Sequence, residues 1–162
     1  MGIERIDVNM FEFKKLCDVC EEMTALERGV LLTEKSLKLI ARLRRLSIPG
    51  IEPISTLAGF MIGSVTADGR LNEREYLLIY PSLVRIFGDD FDFNSVKEAF
   101  RRDNEGRKQV AKYTEEMLRI LEQLDEELRS DVITICLCTA AIDGRISLRE
   151  KLYIRRLCRV GT

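Results

Sequence analysis

Residues 66–75 read TADGRLNERE, and residues 141–150 read AIDGRISLRE. A shift of 75 residues lays Asp68-Gly69-Arg70-Leu71 on Asp143-Gly144-Arg145-Ile146, Arg74-Glu75 on Arg149-Glu150, Leu77 on Leu152 and Ile79 on Ile154. Seven of the twelve positions from 68 to 79 are identical in the two copies. A duplication constrains the fold strongly, because one supersecondary unit must serve twice in the same core. The unit is a strongly apolar helix, an Asp-Gly turn and an amphipathic helix, over approximately 53–87 and 127–160. Two such hairpins are expected to pack around a pseudo-two-fold axis, each covering the other's apolar face. Helices within 93–126 then cross between them.

The remaining chain carries helical periodicity and no sustained strand alternation. Phe11, Phe13, Leu16, Cys17, Cys20 and Met23 follow an approximate helical stripe. The next helix is expected to start at an N-cap on Thr33, to turn Leu37, Ile40, Ala41 and Arg44 to one side, with Leu39, Leu43 and Leu46 widening the face, and to stop at SIPG, 47–50. Pro53 suits the first turn of the apolar helix ISTLAGFMIGSVTA. Gly59 and Gly63 lie four apart on it, which admits a close helix neighbour. Pro81 predicts a kink or break near Tyr80. GDDFDFN, 88–94, reads as a loop with a cap, followed by helices that separate near Gly106 or run together. The expected fold class is all-α, with about seven or eight helices in a single domain, 1–162.

Composition narrows the chemistry. There is no histidine among 162 residues, which removes the commonest general base and metal ligand and every Ser-His or Cys-His pair. A formal net charge of −1 supplies no basic field for nucleic acid. Five cysteines, an odd number, in a chain whose first residues do not read as a signal peptide point to a reducing, cytoplasmic setting. Cys17 and Cys20 would need two further ligands to hold zinc, and Cys136 and Cys138 fall on different sides of a helix. Buried, inert thiols are the expectation for all of these.

The repeated turn has two readings. In the structural one, Gly69 and Gly144 supply left-handed residues, Asn72 and Ser147 cap the following helices, and Glu75 and Glu150 stand at the capping-box position. Asp68 and Asp143 bond the turn's own N–H groups. In the other, D-G-x-hydrophobic-x-x-x-E is the second half of an EF-hand loop, with the glutamate as cation ligand. The first half is missing: Ser64 and Thr66 in one copy, and Thr139 and Ala141 in the other, replace the first acidic ligands within apparently continuous helix.

TADGRLNEREYLLI and AIDGRISLREKLYI together resemble the paired signature of the tellurite-resistance TerB-like family. The resemblance covers about 53–87 and 127–160 and is weaker over 1–50 and 93–126. It implies an all-helical, duplicated domain with acidic residues gathered from both repeats, binding or sensing a divalent cation in stress-response assemblies near the bacterial membrane. By position the acidic residues are Asp68, Glu75, Asp143 and Glu150, and the cation would be Ca²⁺, Mg²⁺ or Mn²⁺. Three departures bear on this. Ile142 is bulkier than its counterpart Ala67, Glu73 becomes Leu148, and Arg70 and Arg145 place a positive charge beside each aspartate.

A small non-catalytic interaction or sensor module with a protein partner is the reading these features support. Alternatives are a purely structural interaction domain and a metal-dependent hydrolase, for which no nucleophile motif or phosphate loop is present. The basic stretch REKLYIRRLCR, 149–159, either meets a membrane surface peripherally or docks on the acidic EQLDEEL, 122–128.

Overall fold

The computed structural model describes residues 2–67, 69–102 and 105–159, and the side chains of 12–66, 69–102 and 105–158. Eight α-helices are present among the described residues: α1 (Gly2–Glu22), α2 (Ala25–Leu43), α3 (Pro53–Gly63), α4 (Glu73–Phe87), α5 (Phe93–Arg101), α6 (Gly106–Glu122), α7 (Glu126–Ala140) and α8 (Leu148–Arg155). A 3₁₀ turn, Arg156–Arg159, follows α8. The all-α class expected from the sequence is the class formed. Among the described residues no helix is long and apolar enough to cross a membrane.

The two most apolar helices lie at the centre. Pro53 occupies the first turn of α3, and the Glu52 side chain accepts the Ser55 N–H at 2.6 Å, so the helix starts without an orphaned donor there. Nine of its eleven residues are buried. α7 starts on Asp125, whose carboxylate accepts the Leu128 N–H at 2.9 Å, and buries ten of fifteen residues. α5 and α6 pack on α3, while α1 and α2 pack on α7. Lys35 on α2 pairs with the buried Asp131 on α7 at 3.0 Å. Leu57, Phe60, Leu83, Met117, Ile120, Leu121, Ile135 and Leu137 are fully buried in the shared core.

The duplicated hairpins meet in two places. α4 lies on α7. α8 lies on α3, where the Tyr153 ring stacks on Phe60 at 4.6 Å between centroids and its hydroxyl donates to the Phe60 carbonyl at 2.6 Å. The small residues of α3 admit two aromatic neighbours. A Cβ at Gly59 would stand 2.5 Å from the Tyr113 ring on α6, and one at Gly63 would collide with the Tyr153 hydroxyl. The close approach expected from their spacing is therefore realised.

Four local expectations are corrected. α2 begins eight residues before Thr33, at a complete capping box between Thr24 and Glu27, and Thr33 lies within the helix with its hydroxyl bonded to the Gly29 carbonyl at 3.0 Å. The buried stripe of α2 is Arg28, Leu32, Ser36, Leu39 and Leu43, while Leu37 is 73% exposed. α4 runs through Pro81 without a break. The chain gives up the bond that residue 81 would donate to the Leu77 carbonyl, and packing of Ile79, Ser82 and Leu83 on either side keeps the helix in register. Thr66 is not helical: Thr66–Ala67 (β1) and Arg70–Leu71 (β2) form a two-residue antiparallel ladder at the first corner.

Candidate functional site

Each corner is built locally. α3 ends at Ser64, whose hydroxyl donates to the Met61 carbonyl at 2.6 Å. The ladder then pairs Thr66 with Leu71 and Ala67 with Arg70. Gly69 takes φ = 80°, a conformation that glycine reaches without strain. Gly106, at the start of α6, lies so close to the Gly69 carbonyl that no Cβ fits there. The Asn72 side chain accepts the Glu75 N–H at 3.1 Å and starts α4.

The second corner reaches the same result without a ladder. The Gly144 N–H bonds the Ala141 carbonyl at 2.8 Å, with φ = 89° at Gly144. Asp143 accepts the Arg145 N–H at 3.2 Å, closing an Asx turn. Ser147 and Glu150 form a complete capping box, with reciprocal bonds of 3.1 and 3.0 Å. The side chains at the EF-hand positions face elsewhere: the Thr139 hydroxyl donates to the Ile135 carbonyl, as Ser64 does to Met61.

The two corners open on one groove of about 540 Å³. Val65, Leu78, Ile79, Ala140 and Ile142 give it apolar walls. Its charged residues are Glu75, Asp143 and Glu150 against Arg145 and Arg149, one more carboxylate than guanidinium. Three of the four acidic residues singled out from the sequence thus share a site. The fourth, Asp68, lies outside the described residues.

Their engagements differ. Glu75 pairs with Arg149 at 3.1 Å, an ion pair that joins α4 of one repeat to α8 of the other. Glu150 holds the Ser147 N–H with one oxygen. Asp143 likewise has one oxygen on the Arg145 N–H. The arginine that neutralises an acid here is Arg149, not the Arg145 expected beside Asp143. Among the described residues, no three acidic or thiol groups stand close enough together to hold a metal ion.

Sequence reasoning missed one residue that braces the second corner. Glu21, at the end of α1, accepts the Ile146 N–H at 3.0 Å and lies 3.5 Å from Lys151. These contacts hold its carboxyl below the usual range, the bond from Ile146 first and Lys151 after it. No local pattern announces a contact across 125 residues. The basic stretch 149–159 is also corrected: its ion pairs go to Glu21 and Glu75 rather than to 122–128, whose Glu127 pairs instead with Lys38.

Fold and groove together define a class: a small all-helical domain, internally duplicated, whose two repeats bring acidic residues to one groove. The family model described as tellurite resistance protein TerB matches residues 55–160, which run from α3 through both corners to the 3₁₀ turn. The chain belongs to the TerB family. The match passes continuously through 93–126 and leaves α1 and α2 outside it. No curated protein and no solved structure matched the chain.

Proposed function

We propose that this TerB-family domain is a non-catalytic interaction module whose paired corners take up a divalent cation. One observation carries the reading: two turns 75 residues apart deliver Glu75, Asp143 and Glu150 to one groove. Carboxylate oxygens suit hard cations such as Ca²⁺, Mg²⁺ and Mn²⁺. Binding would exchange the Glu75–Arg149 pair for a cation–carboxylate contact, so the relation between α4 and α8 would report occupancy. Leu78 on the groove wall, with Leu77, Leu148 and Leu152 exposed on the same two helices, offers apolar surface to a protein partner. Arg155 and Arg156 are exposed too and supply the charge for peripheral contact with an anionic membrane. Five free, buried thiols suit a cytoplasmic setting.

The test is a melting-temperature titration with each cation. At a hundredfold excess over Kd, binding adds about 2.7 kcal/mol of stability. Glu75→Gln with Asp143→Asn should abolish the shift. Arg149→Gln, which removes the competing guanidinium, should tighten binding several-fold. No shift at millimolar metal in any variant would sink the proposal.

A further inference from the structure

The interior holds a thiol pair that the groove does not use. Cys20, near the end of α1, and Cys138, near the end of α7, face each other with sulfurs 3.8 Å apart, across 118 residues of sequence. They are 1% and 3% exposed. All five cysteines are free and buried, yet this pair differs from the others in distance, charge and access.

Distance comes first. A disulfide bond is about 2.05 Å long, so the sulfurs, already in contact, need roughly 1.8 Å of approach. Charge comes second. Arg28 is buried, with its guanidinium donating to the Cys20 carbonyl at 3.2 Å and the Met23 carbonyl at 2.5 Å. That fixes a positive charge beside both sulfurs and favours a thiolate there. The sulfur–sulfur contact, with Arg28 beside it, holds the Cys138 thiol below its usual range, while the same contact and burial push Cys20 well above it.

Access comes third. Cys138 lines a pocket of about 130 Å³ between α2, α4 and α7, with Arg28 and Gly29 on its wall and Pro81, Arg85 and Ile142 towards solvent. A water occupies about 30 Å³ in the liquid, so a molecule the size of hydrogen peroxide fits. Cys17, Cys136 and Cys158 do not line this pocket. Burial pushes their thiols up to about 11, 12 and 11 respectively.

We propose that Cys20 and Cys138 form a reactive dithiol that a small hydroperoxide converts into a disulfide clamp between α1 and α7. The Cys138 thiolate attacks a peroxide oxygen, the O–O bond breaks, and hydroxide leaves, giving a sulfenic acid at Cys138. The Cys20 sulfur then attacks Cys138, the S–O bond breaks, and water leaves with the Cys20 proton. The hydroxide takes up the proton that Cys138 had released to solvent. Two thiols and one peroxide thus yield one disulfide and two waters. Cys20 directly precedes Glu21, so the clamp fixes the end of α1 that holds the second corner through Ile146. This inference does not depend on cation binding.

Reduced full-length protein is treated with hydrogen peroxide, alkylated, digested without reduction and mapped by mass spectrometry. The expected product is a Cys20–Cys138 cross-linked peptide, lighter by two hydrogens and reversed by dithiothreitol. In Cys20→Ser, dimedone should trap a sulfenic acid at Cys138 while Cys17, Cys136 and Cys158 stay unmodified. A different cysteine pair, a bond between two molecules, or no bond in native protein while unfolded protein oxidises would each overturn the proposal. The wild-type map decides the matter even if the variant does not fold.

Discussion

Glu75 and Glu150 stand at the same position of a repeated turn and hold different partners. Glu150 closes a capping box with Ser147, whereas Glu75 leaves its cap to Asn72 and pairs with Arg149. Losing a cap side chain costs about 1 kcal/mol. Ser147→Ala should therefore destabilise the protein by about that amount, measured by chemical denaturation, and an unchanged midpoint would contradict the box. The caps were legible in the sequence because every partner lies within three residues. The role of Glu75 was not, because Arg149 reaches it only after both repeats have packed. The first corner was half legible: its sequence announces a turn, but pairing of two residues on each side depends on the backbone around it.

At the scale of helices, α3 shows why small residues were worth reading. Gly59→Ala raises intrinsic helix propensity by about 1 kcal/mol, but the new methyl meets the Tyr113 ring in a filled core. Overpacking of this kind costs about 1–3 kcal/mol, so the expected outcome is a net loss of stability, visible as a lower melting temperature. A rise would mean that α6 yields easily. The central helices were legible because α3 and α7 are apolar on nearly every side. The face of α2 was not. Leu37, Ile40 and Ala41 lie on one side of it and Leu32, Leu39 and Leu43 on another, and only the position of α4 and α7 selects the second. The aromatic group of Tyr76, Tyr80, Phe87, Phe91 and Phe93 also escaped the sequence reading, since it joins α4 to the loop before α5.

For the molecule as a whole, α1 matters more than its place outside the family match suggests. Its Glu21 carboxylate is held low by the Ile146 N–H and by Lys151. A depressed carboxyl binds fewer protons folded than unfolded, so its stabilisation is present above the unfolded pKa and is lost as pH falls through the folded one. Glu21→Ala should lower stability near neutrality by about 1–2 kcal/mol, as expected for a bond to a charged acceptor. It should also flatten the acid limb of the stability curve, followed by denaturation across the carboxylate range. An unchanged acid limb would place the pH dependence elsewhere. The two corners that share the groove are braced unequally. Gly106 sets backbone against backbone at the first, while the second is latched to α1 by one side chain and its lysine neighbour. The groove thus has a fixed jaw and a hinged one, and widening it means releasing the latch at Glu21.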